Sequence, residues 1–274
     1  MENIEGIKSY IPDIQRSCLN IVKTIDKICR DHNIHYSLCG GSVIGAHLFN
    51  GFIPWDDDID LMMSRKDYDL FVAVFKKVAP GHYHLLNYKT DRCAVVPTLF
   101  SRVEDLSTEV TEEIAGNVRK GHVFVDITVM DNISSKFMHK VAYFYGSYTY
   151  TKLYRHNGMT PGTGWKKLLF KILTGRVDEN TSLKAYERFE SFCRKCSTRD
   201  TEYCAELMSA AYSNYVYKSS FFKDYIDVDF EDTKLMVVKD YMDYLHMRYG
   251  DREFTRDVPP NQRFNSHITD FKVI

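Results

Sequence analysis

A glycine-rich turn precedes a cluster of aspartates in residues 38–63, which read LCGGSVIGAHLFNGFIPWDDDIDLMM. Apolar side chains predict a short strand at Ile34–Cys39, before the turn, and a second strand at Ile59–Met63, after it. The Gly-Gly-Ser sequence at positions 40–42 predicts a sharp turn into a short helix that ends near Gly51. A strand, a helix and another strand in so short a stretch exclude an all-helical fold and an all-strand fold.

The flanking sequence continues this mixture of helix and strand. Ser17–His32 carries apolar residues at helical spacing and predicts an amphipathic helix that ends at Asn33. The sequence SRKD at positions 64–67 resembles a capping box and predicts a second apolar helix that continues through Val78.

The pattern changes along the rest of the chain. His82–Tyr88 and Ala94–Val103 are strand-like, and the hydrophilic segment Glu104–Lys120 predicts a loop or a short hairpin. Alternating apolar residues predict a further strand in HVFVDITVMD, residues 122–131, and Lys136–Arg199 turns helical, aromatic and basic. We therefore predict an α+β fold with a small mixed sheet and a helical C-terminal extension.

The charge balance and composition narrow the class of protein. The formal net charge is -1, from 36 basic and 37 acidic residues, so there is no general electrostatic reason to expect a nucleic-acid partner. Residues 1–13 carry charges and a proline instead of the apolar core of a secretory signal, and no apolar run is long enough to span a membrane. We expect a cytoplasmic protein, which could also rest at the inner face of the membrane.

The seven cysteines show no regular disulfide framework, which fits reduced thiols. Cys193 and Cys196 form a C-x-x-C sequence, but apart from Cys204 the second half of a zinc site is missing. The same spacing puts both thiols on one side of a helix, and we interpret them as packing residues.

Two aspartates of the acidic cluster are spaced to project from one face of a strand. Residues i and i+2 share a face, so Asp58 and Asp60 would point together while Ile59 is buried opposite. Two carboxylates that close repel each other unless a cation lies between them, and oxygen ligands favour Mg²⁺ or Mn²⁺. A solvated acidic turn is the alternative interpretation, because proline and aspartate are common in loops.

Two further features favour a site for a metal and a phosphate. Gly40, Gly41 and Ser42 offer backbone amides and a hydroxyl at a helix N-terminus, where a phosphate oxygen can bind. Asp126 interrupts an apolar strand next to Val125, where a carboxylate is costly unless it is paired or bound to metal. Each feature alone also has a simpler explanation. The Gly-Gly-Ser sequence could be a plain turn, and Asp126 could face solvent from a half-exposed strand.

The sequence YSLCGGSVIGAHLFNGFIPWDDDIDLMMSRKDYDLF, residues 36–71, resembles the signature of the LicD family, which includes fukutin and fukutin-related protein. GHVFVDITVMDNI (121–133) and DYLHMRYGDREFTRDVPPNQRFNSH (243–267) resemble the second and C-terminal blocks of that family. The resemblance implies a nucleotidyltransferase fold related to DNA polymerase β. On this basis we expect a catalytic core at 1–135, a mostly helical extension at 136–230, and a C-terminal segment at 231–274 that returns to the active site.

Two places depart from the family's pattern. Leu48 stands where an arginine is usual, which puts a donor contact from that position in doubt. In the second block Thr128 and Val129 replace an aromatic residue and a proline, while Asp126 and Asp131 remain.

Members of the LicD family move a phosphoalcohol, such as phosphocholine or ribitol phosphate, from a CDP-linked donor to a sugar hydroxyl on a glycan or a lipid-linked oligosaccharide. By resemblance, Asp58, Asp60 and Asp126 would be catalytic and bind Mg²⁺ or Mn²⁺, with Asp126 as the candidate proton acceptor. The implied ligands of the donor phosphates are Gly40, Gly41, Ser42, Arg102, Arg263 and His267. Phe52, Trp55 and Asp56 would line the substrate pocket, although core packing also explains the two aromatic residues.

Other interpretations of the same residues differ in product or partner. The aspartates would equally support nucleotidyl transfer, in which pyrophosphate leaves instead of CMP. A catalytically silent glycan-binding protein could keep the fold, although all three aspartates are present. Lys140–Arg155 and Trp165–Arg176 combine aromatic and basic residues as helices at a membrane surface do, and core helices also explain the pattern.

Overall fold

The computed structural model describes residues 2–89, 99–114, 117–156, 165, 168, 172, 177–209, 215–259, 263, 266 and 268–274. The helices of this part of the chain include α1 (Glu2–Asp31), α2 (Gly40–Phe49), α3 (Arg65–Val78), α4 (Lys136–His156), α5 (Glu179–Cys196) and α6 (Tyr241–Tyr249). The strands are β1 (Ser37–Leu38), β2 (Asp60–Ser64), β3 (Tyr83–Leu86), β4 (Ser101–Ile114), β5 (Asn117–Ile133), β6 (Tyr203–Ala205), β7 (Tyr217–Lys218), β8 (Tyr225–Phe230), β9 (Thr233–Val238) and β10 (Ile268–Val273). The chain forms two compact units: the first comprises Met1–Leu85, Arg102–Ile127 and Ser220–Ile274, and the second comprises Leu86–Ser101 and Thr128–Ser219.

Helix α1 of the first unit is held by a stripe of buried apolar side chains at intervals of three or four residues. The stripe consists of Ile11, Ile14, Cys18, Ile21, Val22, Ile25, Ile28 and Cys29. The helix begins earlier than the predicted start at Ser17 and includes Pro12, because Ile11 and Ile14 continue the same buried face. Asn33 adopts a φ of 53° just after the helix, which confirms the predicted end.

Helix α3 also begins where the sequence predicts. The Ser64 side chain accepts a hydrogen bond from the backbone N–H of Asp67 at 3.1 Å and so caps the first turn. Tyr68, Phe71 and Phe75 lie on the buried face of the helix. The strand, turn and helix around the acidic cluster are therefore anchored on both sides by apolar packing.

The sheet of the first unit has the strand order β1-β2-β5-β4-β10, and β3 pairs with β4. Strand β1 runs antiparallel to β2 with Ser37 opposite Met62, and β10 runs antiparallel to β4. Strands β8 and β9 form a separate antiparallel pair, and the backbone N–H of Val238 on β9 donates to Ser37 Oγ at 3.0 Å. Helix α6 contacts α2, so the C-terminal part of this unit packs against the glycine-rich helix.

The segment Glu104–Lys120 lies almost wholly within the neighbouring strands β4 and β5. The loop alternative was therefore wrong, whereas the hairpin alternative holds, with paired strands of 14 and 17 residues that make it longer than predicted. Strand β4 buries charged residues such as Arg102, Glu104 and Glu112. These side chains interrupt the apolar alternation by which strands are recognised from sequence.

The second unit contains helices α4 and α5, which share an apolar core. Tyr145 on α4 packs edge-on against Phe189 on α5, with ring centroids 5.1 Å apart. Strand β6 pairs with residues 131–133 of β5 on one side and with β7 on the other. Cys193 is buried in this core and Cys196 packs beside it, so the C-x-x-C pair occupies packing positions on α5.

The combination of helices with a mixed sheet confirms the general architecture predicted from sequence. Within the expected helical extension at 136–230, however, the chain forms β6, β7 and β8 after α5. Tyr225–Phe230 alternates apolar and acidic residues, as a strand does. Residues 220–230 belong to the first unit, whereas 86–101 and 128–135, expected in the catalytic core, belong to the second. None of the described helices is both long and apolar enough to cross a bilayer.

Candidate active site

The acidic cluster directly follows a tight turn between α2 and β2, which the hydrogen bond from the Asp56 N–H to the Ile53 carbonyl closes at 2.9 Å. One carboxylate oxygen from each of Asp56, Asp57 and Asp58 lies within 4.8 Å of the others. Gln15 on α1 holds the turn from one side, because its Nε2 donates to the Asp56 carbonyl at 2.8 Å. Ser266 holds it from the other side by donating from Oγ to Asp57 Oδ2. Residues distant in sequence therefore fix the position of these carboxylates.

Asp126 lies beside this cluster on the neighbouring strand. Its backbone N–H donates to the Ile59 carbonyl at 3.1 Å, which joins β5 to the chain just before β2. Ile59 is fully buried, whereas Asp58 and Asp60 on either side of it are partly exposed, as the alternation predicts. The structure thus brings the three predicted metal ligands onto two adjacent backbone segments.

Burial and crowding raise the pKa of several carboxyl groups here. Burial is the main reason that the pKa of Asp58 lies well above its ordinary value, and the charge of Asp60 is the next cause. Burial also raises the pKa of Asp56 to about 6. It raises the pKa of Asp126 to about 6 even though the Arg102 guanidinium opposes the shift. Carboxyl groups in such surroundings favour a retained proton or a bound cation.

Close packing explains the glycines at the start of α2. Gly40 has a φ of 55°, a conformation that residues with a side chain rarely adopt, and its N–H donates to the Tyr244 hydroxyl at 3.1 Å. A Cβ on Gly41 would lie 3.1 Å from Asp56 Oδ2. The glycines therefore let the backbone approach the acidic cluster directly.

Ser42 connects the turn to the aspartates. Its Oγ accepts a hydrogen bond from the backbone N–H of Asp60 at 3.0 Å, and its own N–H donates to the Cys39 carbonyl at 3.1 Å. Because Gly40 donates to Tyr244, two of the three amides predicted to hold phosphate already have protein acceptors. A nearby cation would therefore matter more for phosphate binding than the sequence suggested.

Helix α6 supplies such a cation, which sequence reasoning missed. A Cβ on Gly40 would lie 3.8 Å from Arg248 Nε, 3.6 Å from Asp60 Oδ2 and 3.4 Å from the Tyr249 hydroxyl. Tyr244 and Arg248 are four residues apart and share a face of the helix. That spacing within DYLHMRYG was the signal available in the sequence.

Arg102 is buried against the predicted metal ligand Asp126. Its Nε lies 2.8 Å from Asp126 Oδ1, and its Nη1 lies 3.9 Å from Glu112 Oε2. The guanidinium also stacks on Phe124, with Cζ 3.6 Å from the ring centroid. In this structure Arg102 fixes a carboxylate of the site, and its predicted contact with a donor phosphate stays a prediction.

The C-terminal segment reaches the residue that precedes the acidic cluster. Arg263 places its Cζ 4.5 Å from the centroid of the Trp55 ring. Phe52, expected in the substrate pocket, is buried against Phe230 with ring centroids 5.1 Å apart, which is a packing contact. His267 lies outside the described residues.

The chain resembles one known family of domains and one named protein. Residues 33–157 match the domain described as LicD/FKTN/FKRP, nucleotidyltransferase domain. The chain is also 27% identical over 275 residues to the lipopolysaccharide cholinephosphotransferase LicD of Haemophilus influenzae, across 95% of this chain and 96% of that protein. The matched domain contains the glycine turn, the acidic cluster and Asp126, whereas Arg248 and Arg263 lie beyond it.

Proposed function

We propose that this protein is a member of the LicD family and that it transfers a phosphoalcohol from a CDP-linked donor to a sugar hydroxyl on a glycan and releases CMP. The related protein of Haemophilus influenzae is named a lipopolysaccharide cholinephosphotransferase, so phosphocholine is the first group to test and a lipopolysaccharide the first acceptor. The observation that carries the proposal is the hydrogen bond from Asp126 to Ile59, which sets Asp126 beside Asp58 and Asp60. A nucleotidyltransferase fold related to DNA polymerase β is part of the same proposal.

In this proposal Asp58, Asp60 and Asp126 would hold a divalent cation such as Mg²⁺ or Mn²⁺, while the carboxylate oxygens grouped within 4.8 Å of one another are those of Asp56, Asp57 and Asp58. Carboxylate oxygens are hard donors, the kind that these ions prefer. Burial and neighbouring charge raise the pKa of Asp58, and a cation would relieve that repulsion. When bound, the ion would neutralise charge on the donor diphosphate.

Arg248 is our first candidate for a direct contact with the donor phosphates. It lies close to Gly40, at the N-terminus of α2, where a phosphate oxygen would approach the turn. A guanidinium can pair with two phosphate oxygens at once. Arg263 and the ring of Trp55 would supply a second cation and an aromatic surface beside the acidic cluster.

The proposed transfer is a single displacement at the distal phosphorus of the donor. The acceptor oxygen bonds to that phosphorus while the bond to the bridging oxygen breaks, and CMP leaves with that oxygen. Asp126 is the candidate to accept the proton of the acceptor hydroxyl, because it lies beside the acidic cluster on the neighbouring strand. Arg102 holds the Asp126 carboxylate in position for this step.

The product distinguishes this reaction from the two alternatives. The full chain would be incubated with Mg²⁺, a lipopolysaccharide acceptor and each of CDP-choline, CDP-ribitol, CDP-glycerol and CDP-ethanolamine, and CMP would be measured. A parallel reaction with CTP and phosphocholine would measure pyrophosphate, and an Asp58→Asn variant would give the background. Metal-dependent CMP release supports the proposal, whereas pyrophosphate release would favour nucleotidyl transfer. Glycan binding with neither product would favour a silent binding protein.

A further inference from the structure

Helix α4 of the second unit has an apolar face on the side opposite its packing face. Its buried residues include His139, Ala142, Gly146, Thr149 and Leu153. On the opposite side Phe137, Val141, Phe144 and Tyr148 recur every three or four residues and are 71%, 36%, 72% and 54% exposed. We call these four residues the outer α4 face. Large aromatic side chains so exposed are typical of a surface that binds a partner.

The charged residues of α4 itself are all basic. Lys136 and Lys140 are exposed near Phe137, and Lys152 places its Nζ 5.4 Å from the centroid of the Tyr148 ring. Between positions 136 and 177 the sequence contains eight lysines and arginines and no aspartate or glutamate. The whole chain has nearly equal numbers of acidic and basic residues, so positive charge is concentrated here.

A second group of exposed apolar residues lies in the same basic stretch. Trp165, Leu168 and Ile172 are helical, are spaced three and four residues apart, and are 71%, 59% and 68% exposed. They repeat the combination seen on α4, large apolar side chains within a segment that has only basic charges.

We propose that the outer α4 face binds the surface of a lipid bilayer that contains anionic lipids. The rings of Phe137 and Phe144 would enter the boundary between headgroups and acyl chains, and the ring and hydroxyl of Tyr148 suit the headgroup level. Lys136 and Lys140 would meet the lipid phosphates. The helix would lie in the plane of the membrane. This inference does not depend on the proposed transferase activity.

A second copy of the chain fits this face less well than a membrane does. A symmetric dimer would place the same surface against itself, and would bring the basic residues of α4 in one copy towards those of α4 in the other. No acidic residue of α4 could pair with them. Lysine is also depleted in protein interfaces, whereas it flanks the apolar face of helices that lie on membranes.

The test measures cosedimentation of the full chain with vesicles of phosphatidylcholine, with and without phosphatidylglycerol. We expect binding that requires phosphatidylglycerol and weakens with added salt. The double variant Phe137→Ser, Phe144→Ser should lower the partition coefficient on the order of 10-fold or more, because two exposed rings are lost. Val118→Ser with Val273→Ser is the matched control, since both valines are similarly exposed elsewhere, at 69% and 70%.

Charge and fluorescence give independent readouts. Lys136→Gln with Lys140→Gln should weaken binding to anionic vesicles, whereas Lys76→Gln with Lys77→Gln on α3 should not. The chain has two tryptophans, so a Trp55→Phe variant leaves Trp165 as the reporter, and its emission should shift to shorter wavelength on anionic vesicles. Absence of vesicle binding, or equal binding by the folded Phe137→Ser, Phe144→Ser variant, would overturn the proposal. So would a stable dimer, seen by light scattering, that this variant abolishes.

Discussion

The guanidinium of Arg102 and the carboxylate of Asp126 form a buried ion pair, with Nε 2.8 Å from Oδ1 and each side chain about one-tenth exposed. The two residues lie on neighbouring strands, β4 and β5. Glu112 also faces the guanidinium, so one cation serves more than one carboxylate. The orientation of a proposed catalytic group therefore depends on a residue that has no need to touch substrate.

Replacing Arg102 with methionine should destabilise the protein by about 3–5 kcal/mol, since it leaves buried carboxylates without their cation. Urea unfolding followed by circular dichroism would measure the loss. Arg16→Met is the control, because Arg16 pairs with Asp13 on the surface and should leave the midpoint unchanged. Equal midpoints for wild type and Arg102→Met would contradict a buried structural ion pair.

Asp58→Asn and Asp60→Asn should each abolish transfer while the metal-free protein melts at the same temperature or higher. The physical reason is that each change removes repulsion between crowded carboxylates, which is the second cause of the raised pKa of Asp58. Calorimetry without metal, paired with a CMP assay, would measure both effects. Asp31→Asn is the control: it changes an exposed aspartate and should alter neither the transfer activity nor the melting temperature. A variant that melts well below wild type without metal would indicate a structural role.

The stability of the metal-free protein should fall as the pH rises from about 4 to about 7, because the acidic cluster loses protons that it binds more tightly than the unfolded chain does. Burial raises the pKa of Asp56 and of Asp126 from 3.8 to about 6. The penalty is therefore absent below the unfolded pKa and complete above the folded one. Asp56→Asn should reduce this slope, as thermal melts over a pH series would show.

Added Mg²⁺ should stabilise the protein increasingly as the pH rises and the carboxylates lose their protons. Its stabilising effect should be larger at about pH 7.5 than at about pH 5, where protons compete for the same carboxylates. An equal rise in melting temperature at both pH values would argue that the ion binds elsewhere.

Arg248→Ala should weaken use of the CDP-linked donor on the order of 10-fold to 100-fold. This corresponds to the loss of a charge-assisted hydrogen bond, roughly 1.5 to 3 kcal/mol. Steady-state kinetics over a range of donor concentrations would give the change, and Arg248→Lys should recover part of it. Lys76→Ala serves as the control for a lost surface charge. Unchanged donor kinetics in Arg248→Ala would remove this residue from the proposed site.

Arg263→Ala should weaken use of the CDP-linked donor by a similar factor, because the proposal places the guanidinium stacked on Trp55 against the donor diphosphate. Mn²⁺ affinity, measured by titration calorimetry, should change little, because the proposed metal ligands are untouched. If kinetics are normal and only the melting temperature drops, Arg263 contributes through packing on Trp55 alone.

Short-range patterns gave the best predictions. The Ser64 cap, the buried Ile59 between two aspartates and the helical stripe of α1 depend on neighbours along the chain, and the structure confirms them. Arg248 was not found, because its place near Gly40 depends on the packing of α6 against α2. Only the start of strand β4 was predicted outright as a strand, because buried charges such as Glu112, which lies 3.9 Å from Arg102, interrupt the apolar pattern of the rest.

The hydrogen bond that Ser266 makes to Asp57 has a consequence for synthesis on the ribosome. A nascent chain that has emerged as far as β5 already contains Asp58, Asp60 and Asp126, but it lacks α6 and Ser266. Such an intermediate would carry a crowded set of carboxylates on a segment that Gln15 can already contact, but it would lack the hydrogen bond from Ser266 to Asp57. Vectorial synthesis therefore delays assembly of this region until the later strands and helices arrive.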